Sequence, residues 1–349
     1  MHQLTYGDVE AAAHRIAGRV RPVALAPTDP GEVTAARHGF EAHGAGRPGG
    51  VWLALESMQH TGSFKARGAQ NFLRAHREAG TLPDAGVTIA SGGNAGLACA
   101  WAAGQQHVRA TVFLPRTAPA VKVARLREYG ADVRLTGTEY AEALAACEEY
   151  AATSGALTSH AYDHPLIAAG AGTLLEEIHR QVPDLDTVVV AVGGGGLFAG
   201  VATAARHHGI RTVAVEPEHS RALHAAVAAG RPVDVTVDSV AADSLGARRA
   251  SATALDAAQR GDVRTVLVPD EEIVRARQAL WDHRRLVVEH GAATALAGLT
   301  APGRGPAAEP GTAATTGGYR PREGERIAVV LCGANTDPAD LVQKAGGRG

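Results

Sequence analysis

The chain has 349 residues, with 34 basic and 36 acidic side chains, a formal net charge of -2 and an aromatic share of 4%. A chain of this length can form two domains that share an interface, where small-molecule sites commonly lie. Because there is no excess of basic charge and there are few aromatic stacking platforms, we expect neither a nucleic-acid partner nor binding to an anionic membrane.

The cysteines and the N-terminus indicate the compartment. The chain has three cysteines, Cys99, Cys147 and Cys332, and no two of them form a CxxC pair. This favours a reducing compartment and argues against a structural zinc site. The first twenty residues lack the charged-then-apolar order of a secretory signal and have the pattern of an amphipathic helix. We therefore expect a cytoplasmic protein.

The N-terminal part of the chain combines a helix, loops and one strand. After the amphipathic helix, residues 21–27 and the Gly/Pro-rich segment 41–50 have the composition of loops, and residues 51–57 have the pattern of a short strand. Residues 66–79 have helical spacing. Lys65 is therefore expected at a strand-to-helix junction, near a helix N-terminus where anions and electrophilic groups bind.

Strand and helix patterns alternate through residues 84–164 and again from residue 165 onwards. Such alternation is typical of βαβ units and parallel sheets. The sequence therefore predicts an α/β protein with two doubly wound open-sheet domains. We expect a small domain at 84–164 and a large domain made of 1–83 and 165–349.

Three further stretches bear on this organisation. Residues 86–106 and 187–205 carry no charge over lengths that could span a membrane, but each contains a glycine-rich turn. A spanning helix would have to satisfy its own backbone groups there, so we expect strand, loop and helix at both places and no membrane span. Residues 301–325 are rich in Gly, Pro, Ala and Thr and predict a flexible surface loop.

Four loops have sequences that can carry chemistry: TGSFKARG at 61–68 (the lysine loop), SGGNAG at 91–96, GGGG at 193–196 (the tetraglycine) and LCGAN at 331–335. The tetraglycine lies between a strand and a helix, where successive backbone N–H groups and the helix N-terminus suit an anion. A bare flexible turn is the alternative. The tetraglycine is neither a convincing dinucleotide fingerprint nor a P-loop, because no Gly-Lys-Ser/Thr comes after it.

Residue type alone leaves the other candidates open. Taken in isolation, Lys65 can be a solvated surface charge and Cys332 a core cysteine at the end of a buried strand. The SGGNAG amides could hold a carboxylate, with Asn94 bonding a ligand or capping a helix that begins at Ala95. The sixteen histidines form no set with metal-ligand spacing, so we expect no metal site built from them.

In this order and spacing, the four loops resemble those of the fold type II pyridoxal-phosphate enzymes, and in particular their serine/threonine dehydratase branch. The resemblance covers nearly the whole chain and implies two open-sheet domains of the tryptophan synthase β-like type. It also implies that the cofactor is pyridoxal 5'-phosphate, that Lys65 is the catalytic Schiff-base lysine, and that the protein is a homodimer.

The resemblance further implies the roles of individual residues. Asn94 would contact the phenolic oxygen of the cofactor, and Cys332 would face its pyridine nitrogen. The substrate carboxylate would be surrounded by Ser91, Gly92 and Asn94. The cofactor phosphate would lie in a cradle made of Gly193, Gly194, Gly195 and Gly196.

This sequence departs from the family pattern at several positions. Gly92 stands where eukaryotic-type serine racemases have a proton-donating serine, which disfavours racemisation. Glu216 matches a family cation ligand, but Ala222 stands where a second acid is expected, so a monovalent or divalent cation near Glu216 is doubtful. Ala171 replaces a common glutamine, and Glu289 matches a position near the active site.

The function implied by the resemblance is dehydration and deamination of a β-hydroxy amino acid, L-threonine or L-serine, to a 2-oxo acid and ammonia. A thiol beside the pyridine nitrogen leaves the ring closer to neutral than a carboxylate would, which suits elimination. One alternative is a β-replacement enzyme of the same fold, similar to cysteine synthase. Another is a catalytically silent ligand-binding protein on this fold, which an intact Lys65 argues against.

Overall fold

The computed structural model describes residues 3–28, 46–301 and 315–345. The strands in these ranges are β1 (Leu25–Thr28), β2 (Gly50–Ala54), β3 (Val87–Ala90), β4 (Ala110–Leu114), β5 (Asp132–Leu135), β6 (Leu157–Thr158), β7 (Thr187–Ala191), β8 (Arg211–Pro217), β9 (Val263–Val268), β10 (Thr315–Thr316) and β11 (Arg326–Val330).

The helices of the same ranges are α1 (Tyr6–Ile16), α2 (Lys65–Glu78), α3 (Asn94–Gly104), α4 (Ala120–Glu128), α5 (Tyr140–Ser154), α6 (Pro165–Gln181), α7 (Gly196–His207), α8 (Ala222–Ala229), α9 (Ala242–Leu245), α10 (Ala252–Arg260), α11 (Asp270–Arg284), α12 (His290–Thr300) and α13 (Ala339–Ala345). Two short 3-10 turns, Glu56–Met58 and His60–Gly62, lead into α2. Within the described ranges, no helix is both long and apolar enough to cross a bilayer.

The strands form two sheets. One has seven strands in the order β1-β2-β11-β7-β8-β9-β10, and the other has four in the order β5-β4-β3-β6. All neighbouring strands are parallel except β1 and β2, which are antiparallel. The prediction of an α/β protein with two sheets of parallel strands is confirmed.

The central strands are apolar because helices cover both of their faces. Every residue of β7, whose sequence is TVVVA, is buried, and so is every residue of β4, whose sequence is ATVFL. Parallel strands buried on both faces are typically continuous apolar runs rather than alternating ones. These strands therefore present their carboxyl ends, and the loops attached there, from a rigid interior.

Two helices of the large sheet touch through backbone. A Cβ atom built on Gly200 of α7 would lie 2.1 Å from the carbonyl oxygen of Ala168 and 2.5 Å from the nitrogen of Gly172, both on α6. Only glycine allows this approach. Because α7 begins at the last glycine of the tetraglycine, this contact also sets the position of that loop.

A buried ion cluster joins α2 to its surroundings. The guanidinium of Arg67, fully buried, donates to both carboxylate oxygens of Glu56 at 2.8 and 2.7 Å. It also donates to both carboxylate oxygens of Glu177 on α6 at 2.7 and 2.9 Å. Removing one partner of a buried ion pair costs about 3–5 kcal/mol. The start of α2, two residues before Arg67, is therefore held firmly.

Some sequence predictions are wrong in detail. The predicted loop 21–27 contains the start of β1, whose pairing with β2 a local pattern could not reveal. The predicted strand ALTSHAY, residues 156–162, is a strand only at Leu157–Thr158 and is then a loop. The predicted helix 66–79 is confirmed as α2, beginning one residue earlier at Lys65.

Part of the predicted flexible loop 301–325 lies outside the described residues, at 302–314, as does part of the predicted loop 41–50, at 41–45. The described remainder of 301–325 differs from the prediction. It contains β10, which pairs with β9, and a buried Tyr319 whose hydroxyl donates to Glu325 at 2.7 Å. Pairing and burial hold this portion against the sheet.

The close approach of α6 and α7 predicts the effect of one added methyl group. Gly200→Ala should destabilise the protein by about 1–3 kcal/mol, because the new Cβ must push α6 and α7 apart. Thermal unfolding monitored by circular dichroism measures the effect. Gly7→Ala in α1 is the matched control, because among the described residues outside the helix's own backbone its new Cβ would meet only the Thr5 hydroxyl oxygen, at 3.8 Å. The control should be neutral or slightly stabilising, and equal effects would contradict the argument.

Candidate active site

The lysine loop lies beside the last strand of the large sheet. The backbone N–H of Phe64 donates to the carbonyl oxygen of Cys332 at 3.0 Å, and Ser63 forms a bridge with Gly333. The two segments lie just beyond the carboxyl ends of the parallel neighbours β2 and β11. The pairing therefore places Lys65 and Cys332, far apart in sequence, at one edge of the sheet.

The Lys65 amine has a carbonyl partner rather than a carboxylate. Its Nζ donates to the carbonyl oxygen of Ala161 at 3.0 Å and lies 4.7 Å from the centre of the Phe64 ring. Removal of the amine from water lowers the pKa of Lys65 to about 8, although the neighbouring Cys332 and Glu289 oppose this shift. With this pKa about a tenth of the amine is free base at pH 7 and about half at pH 8, far more than for an ordinary lysine.

Asn94 does not cap a helix that begins at Ala95. It is the first residue of α3, whose N-cap is Gly93, with no side-chain capping bond. Its side-chain Nδ2 instead donates to both carboxylate oxygens of Glu289, at 2.9 and 3.1 Å, and its Oδ1 accepts from Asn335 Nδ2 at 2.7 Å. These partners fix the orientation of the amide.

Glu289 and Asn335 connect the loops of the two sheets. Glu289 is buried and also accepts the backbone N–H of Asn335 at 2.9 Å. Asn335 Nδ2 donates to the carbonyl oxygen of Thr61 in the lysine loop at 2.6 Å. Burial raises the pKa of Glu289, while the bonds from Asn94 and Asn335 oppose that rise. The lysine loop, the SGGNAG loop and the LCGAN turn thus share one hydrogen-bonded group.

The SGGNAG loop joins β3 to α3. The Ser91 hydroxyl accepts the N–H of Gly93 at 3.4 Å. A Cβ on Gly92 would meet a Leu114 methyl carbon at 2.9 Å, and one on Gly96 would meet the carbonyl oxygen of Ser91 at 1.8 Å. The glycines therefore let the backbone turn tightly and leave its amides accessible at a helix N-terminus, which suits an anion.

The tetraglycine connects β7 to α7. Gly195 is the N-cap in the left-handed region, with φ of 95°, a conformation that favours glycine. A Cβ on Gly194 would lie 2.3 Å from the ring of Tyr162, and one on Gly195 would lie 2.3 Å from the Cβ of Ala254. Close packing on these sides is why side chains are excluded from the loop.

Cys332 is a buried thiol at the end of β11. Burial, and after it the charge of Glu289, raises the pKa of the Cys332 thiol to about 12, and the charge of Lys65 opposes this. The thiol therefore stays neutral under ordinary conditions. A neutral thiol can donate a hydrogen bond to an aromatic ring nitrogen that carries no proton.

The surroundings of Glu216 do not fit a cation. Its two carboxylate oxygens accept the backbone N–H groups of Leu223 and His224, each at 2.8 Å, at the start of α8. Ala222 supplies no carboxylate. Groups of three or more His, Cys, Asp or Glu able to hold a metal are absent from the described ranges. Ala171 is a buried residue of α6, with no side chain able to reach a ligand.

Two residues that sequence patterns did not single out lie in the loop between β6 and α6. The Ala161 carbonyl contacts Lys65, and the Tyr162 ring packs on Gly194. This loop therefore closes the gap between the lysine and the tetraglycine. The one sequence signal for it is the histidine- and aspartate-bearing run SHAYDH directly before a proline, which interrupts the predicted strand.

The donor set fits the cofactor that the resemblance implies. Lys65 offers an amine that makes no ion pair with any described carboxylate, which suits an aldehyde. The tetraglycine offers helix N-terminal N–H groups in a cradle from which Cβ atoms are excluded. The hydroxyl of Ser63, within the lysine loop, is buried with no hydrogen-bond partner among the described residues.

Comparison with known proteins agrees with this interpretation. The profile of the family described as "Pyridoxal-phosphate dependent enzyme" matches residues 35–333. The chain is 38% identical over 252 residues to an L-threonine ammonia-lyase of Geobacter sulfurreducens, covering 71% of this chain and 62% of that protein. It is 34% identical over 304 residues to a serine dehydratase-like protein of Rattus norvegicus, covering 86% of this chain and 89% of the rat protein.

A solved structure extends the match to the whole fold. The structure of maize serine racemase aligns with a TM-score of 0.82 at 26% identity, covering 99% of this chain and 97% of that one. The matched family range contains the first three loops of the site and the start of the fourth, including Cys332. This chain belongs to the pyridoxal-phosphate dependent enzyme family, in its fold type II class, and its cofactor is pyridoxal 5'-phosphate.

Proposed function

We propose that this protein is an ammonia-lyase that eliminates water from a β-hydroxy amino acid, L-threonine or L-serine, and releases a 2-oxo acid and ammonia. The observation that carries the proposal is the desolvated Lys65 amine, with a pKa of about 8, at the meeting point of four loops. The Geobacter and rat proteins, named for threonine and serine chemistry, support the substrate class.

In this proposal the cofactor is held by residues from both sheets. Lys65 would bind its aldehyde covalently, Gly193–Gly196 would hold its phosphate, Asn94 would bond its phenolic oxygen and Cys332 would face its ring nitrogen. When bound, the cofactor supplies an electron sink that acidifies the substrate Cα proton. A neutral Cys332 thiol would leave the ring nitrogen less protonated than a carboxylate would, which would favour elimination over transamination.

The chain's own residues do the remaining work. Ser91, Gly92 and Asn94 surround the substrate carboxylate at the N-terminus of α3, where backbone amides and the helix dipole attract it. Lys65 would remove the Cα proton as a neutral amine. The pKa of Lys65 is about 8, which is close to the pH at which a general base of this kind works.

Rival reactions differ in the step after proton removal. Racemisation needs a proton donor on the opposite face, and Gly92 has no side chain to supply it. A β-replacement enzyme would need a second nucleophile to enter, and a ligand-binding protein would need no reactive lysine. The proposal therefore favours elimination, and a single assay separates elimination, β-replacement and simple binding.

The proposal extends to organisation. We infer a small domain at 84–164 and a large domain made of 1–83 and 165–349, since the two sheets draw their strands from these ranges. A homodimer and a cytoplasmic location complete the proposal. The cytoplasmic location is supported by three buried free cysteines, Cys99, Cys147 and Cys332, as expected of a reducing compartment.

The experiment that tests the function compares two lysines of the chain. Wild-type protein should show the visible absorbance band of bound cofactor and release 2-oxo acid from L-threonine or L-serine but not from the D-forms. Lys65→Ala should lose both, because Lys65 supplies the amine that binds the cofactor aldehyde. Lys122→Ala is the matched control, since this exposed lysine pairs with Asp243 at 3.0 Å, and should keep the band.

Three results would contradict parts of this proposal. A protein without the band, even after addition of pyridoxal phosphate, would leave only a binding role. A band without 2-oxo acid, but with product formed when a thiol is added, would indicate β-replacement. A band that persists in Lys65→Ala would remove that lysine from its role.

The pKa of Lys65 predicts how cofactor loading depends on pH. The free amine is the nucleophile, and desolvation disfavours its protonated form, placing the pKa at about 8. Covalent uptake of pyridoxal phosphate by cofactor-free protein should therefore speed up as pH rises and level off above about pH 8. Stopped-flow absorbance measures this rate. A rate that keeps rising towards about pH 10, the range of an ordinary lysine, would show that the amine is not desolvated.

A further inference from the structure

The loop between β6 and α6, residues 159–164, brings three consecutive residues to the site. The middle one, Ala161, accepts the Lys65 amine through its carbonyl oxygen at 3.0 Å. The next, Tyr162, packs its ring against Gly194 of the tetraglycine and donates its hydroxyl to the carbonyl oxygen of Arg249 at 3.3 Å. The residue before them is His160, which therefore stands next to both parts of the site.

The hydrogen bonds of His160 determine its tautomer. Its Nδ1 accepts the backbone N–H of Tyr162 at 3.2 Å and that of Asp163 at 2.8 Å. A nitrogen that accepts from two backbone donors carries no hydrogen of its own. The neutral ring must therefore hold its hydrogen on Nε2.

The surroundings of His160 keep the ring neutral. A proton on Nδ1 would make that nitrogen a donor facing two backbone N–H donors, and both hydrogen bonds would be lost. Burial lowers the pKa of His160 and the nearby positive charge of Lys65 lowers it further, while Asp163 opposes them. The ring is thus a neutral hydrogen-bond donor that does not readily take up a second proton.

The hydrogen bonds within the loop use Nδ1 and leave Nε2 as the donor nitrogen. Nε2 lies on the side of the ring away from Nδ1 and hence away from the backbone of the loop. His160 is partly buried and partly exposed, and its ring stands edge-on to Tyr162 with centroids 5.0 Å apart. The same loop contacts Lys65 through Ala161 and Gly194 through Tyr162, so His160 is the direct chain neighbour of the first contact and two positions from the second.

We propose that His160 is a catalytic residue that donates a hydrogen bond from Nε2 to the substrate's β-hydroxyl oxygen as this oxygen departs. The inference rests on the proposed ammonia-lyase function and deepens it. Of the polar groups of a β-hydroxy amino acid, the carboxylate is assigned to the SGGNAG amides and the amine to the cofactor. The hydroxyl is the group left for a neutral donor beside the lysine.

The chemistry balances without a proton from His160. Lys65 takes the Cα proton, and the Cβ–O bond breaks with its electron pair going to oxygen. The removed proton and the departing hydroxide together make water. A preorganised N–H donor stabilises the negative charge that develops on the leaving oxygen, and such donors are typically worth about 10²–10³ in rate. His160 keeps its own hydrogen throughout.

Two variants separate this role from loop structure. His160→Ala removes both the Nε2 donor and the Nδ1 acceptor that bonds two backbone N–H groups. His160→Asn keeps an acceptor, because an Asn side-chain oxygen commonly accepts the N–H two residues further on, but it is too short to place a donor where Nε2 lies. His14→Ala, at an exposed histidine of α1 remote from the loop, is the control.

The test compares two leaving groups. L-Serine loses hydroxide, which needs stabilisation, whereas β-chloro-L-alanine loses chloride, which does not, and both give the same 2-oxo acid. In His160→Asn, kcat/KM for L-serine should fall about 10- to 100-fold, while that for β-chloro-L-alanine should stay within about twofold of wild type. The bound-cofactor absorbance and the unfolding temperature should be those of wild type.

A second readout does not depend on turnover. Nitrogen NMR of histidine-labelled protein, with His160 assigned by difference from His160→Asn, should show hydrogen on Nε2 and none on Nδ1 from mildly acidic to mildly alkaline pH. Hydrogen on Nδ1, or a ring that becomes doubly protonated near neutral pH, would overturn the assignment of the donor.

The outcomes distinguish the inference from the function on which it rests. Equal losses on both substrates, or no loss on L-serine, would overturn the role of His160 while leaving elimination intact. A wild-type enzyme that turns over β-chloro-L-alanine but neither L-serine nor L-threonine would remove the proposed function, and the inference with it.

Discussion

The buried ion cluster around Arg67 is the constraint on which the site depends. Its guanidinium is fully buried and bonded to Glu56, which precedes the lysine loop, and to Glu177 on α6. Burial lowers the pKa of Arg67, but the two carboxylates raise it more, so the group remains charged. Such a charge tolerates little displacement, because loss of one partner leaves an uncompensated ion in the interior. Lys65, two residues away, is held by the same contacts.

Two further sets of contacts fix the positions of the other loops of the site. Gly172 and Gly200 bring α6 and α7 into backbone contact, so the helix that contains Glu177 also positions the tetraglycine. On the other side, Glu289 accepts from Asn94 and Asn335 and joins the loops of the two sheets. The lysine, the tetraglycine and the SGGNAG loop are thus held by contacts of residues around them.

The loop at 159–164 illustrates how local strand signals can mislead. ALTSHAY has the residue types of a strand, and only Leu157–Thr158 pairs with β3. After that point the His160 ring accepts two backbone N–H groups and replaces the sheet partners that a longer strand would have had. The chain leaves the sheet shortly before Ala161, whose carbonyl oxygen accepts the Lys65 amine.

The sequence by itself determined the α/β class, the approximate positions of most strands and helices, and the four glycine-bearing loops, because buried parallel strands and tight turns leave strong local patterns. Only the tertiary structure decided that Asn94 bonds Glu289 instead of capping its helix, and that residues 25–28 pair with β2. The same holds for the place of Ala161 beside Lys65. Asn94 and Glu289 are 195 positions apart, and Lys65 and Ala161 are 96 apart. A pattern within one segment carries no information about a partner at that distance.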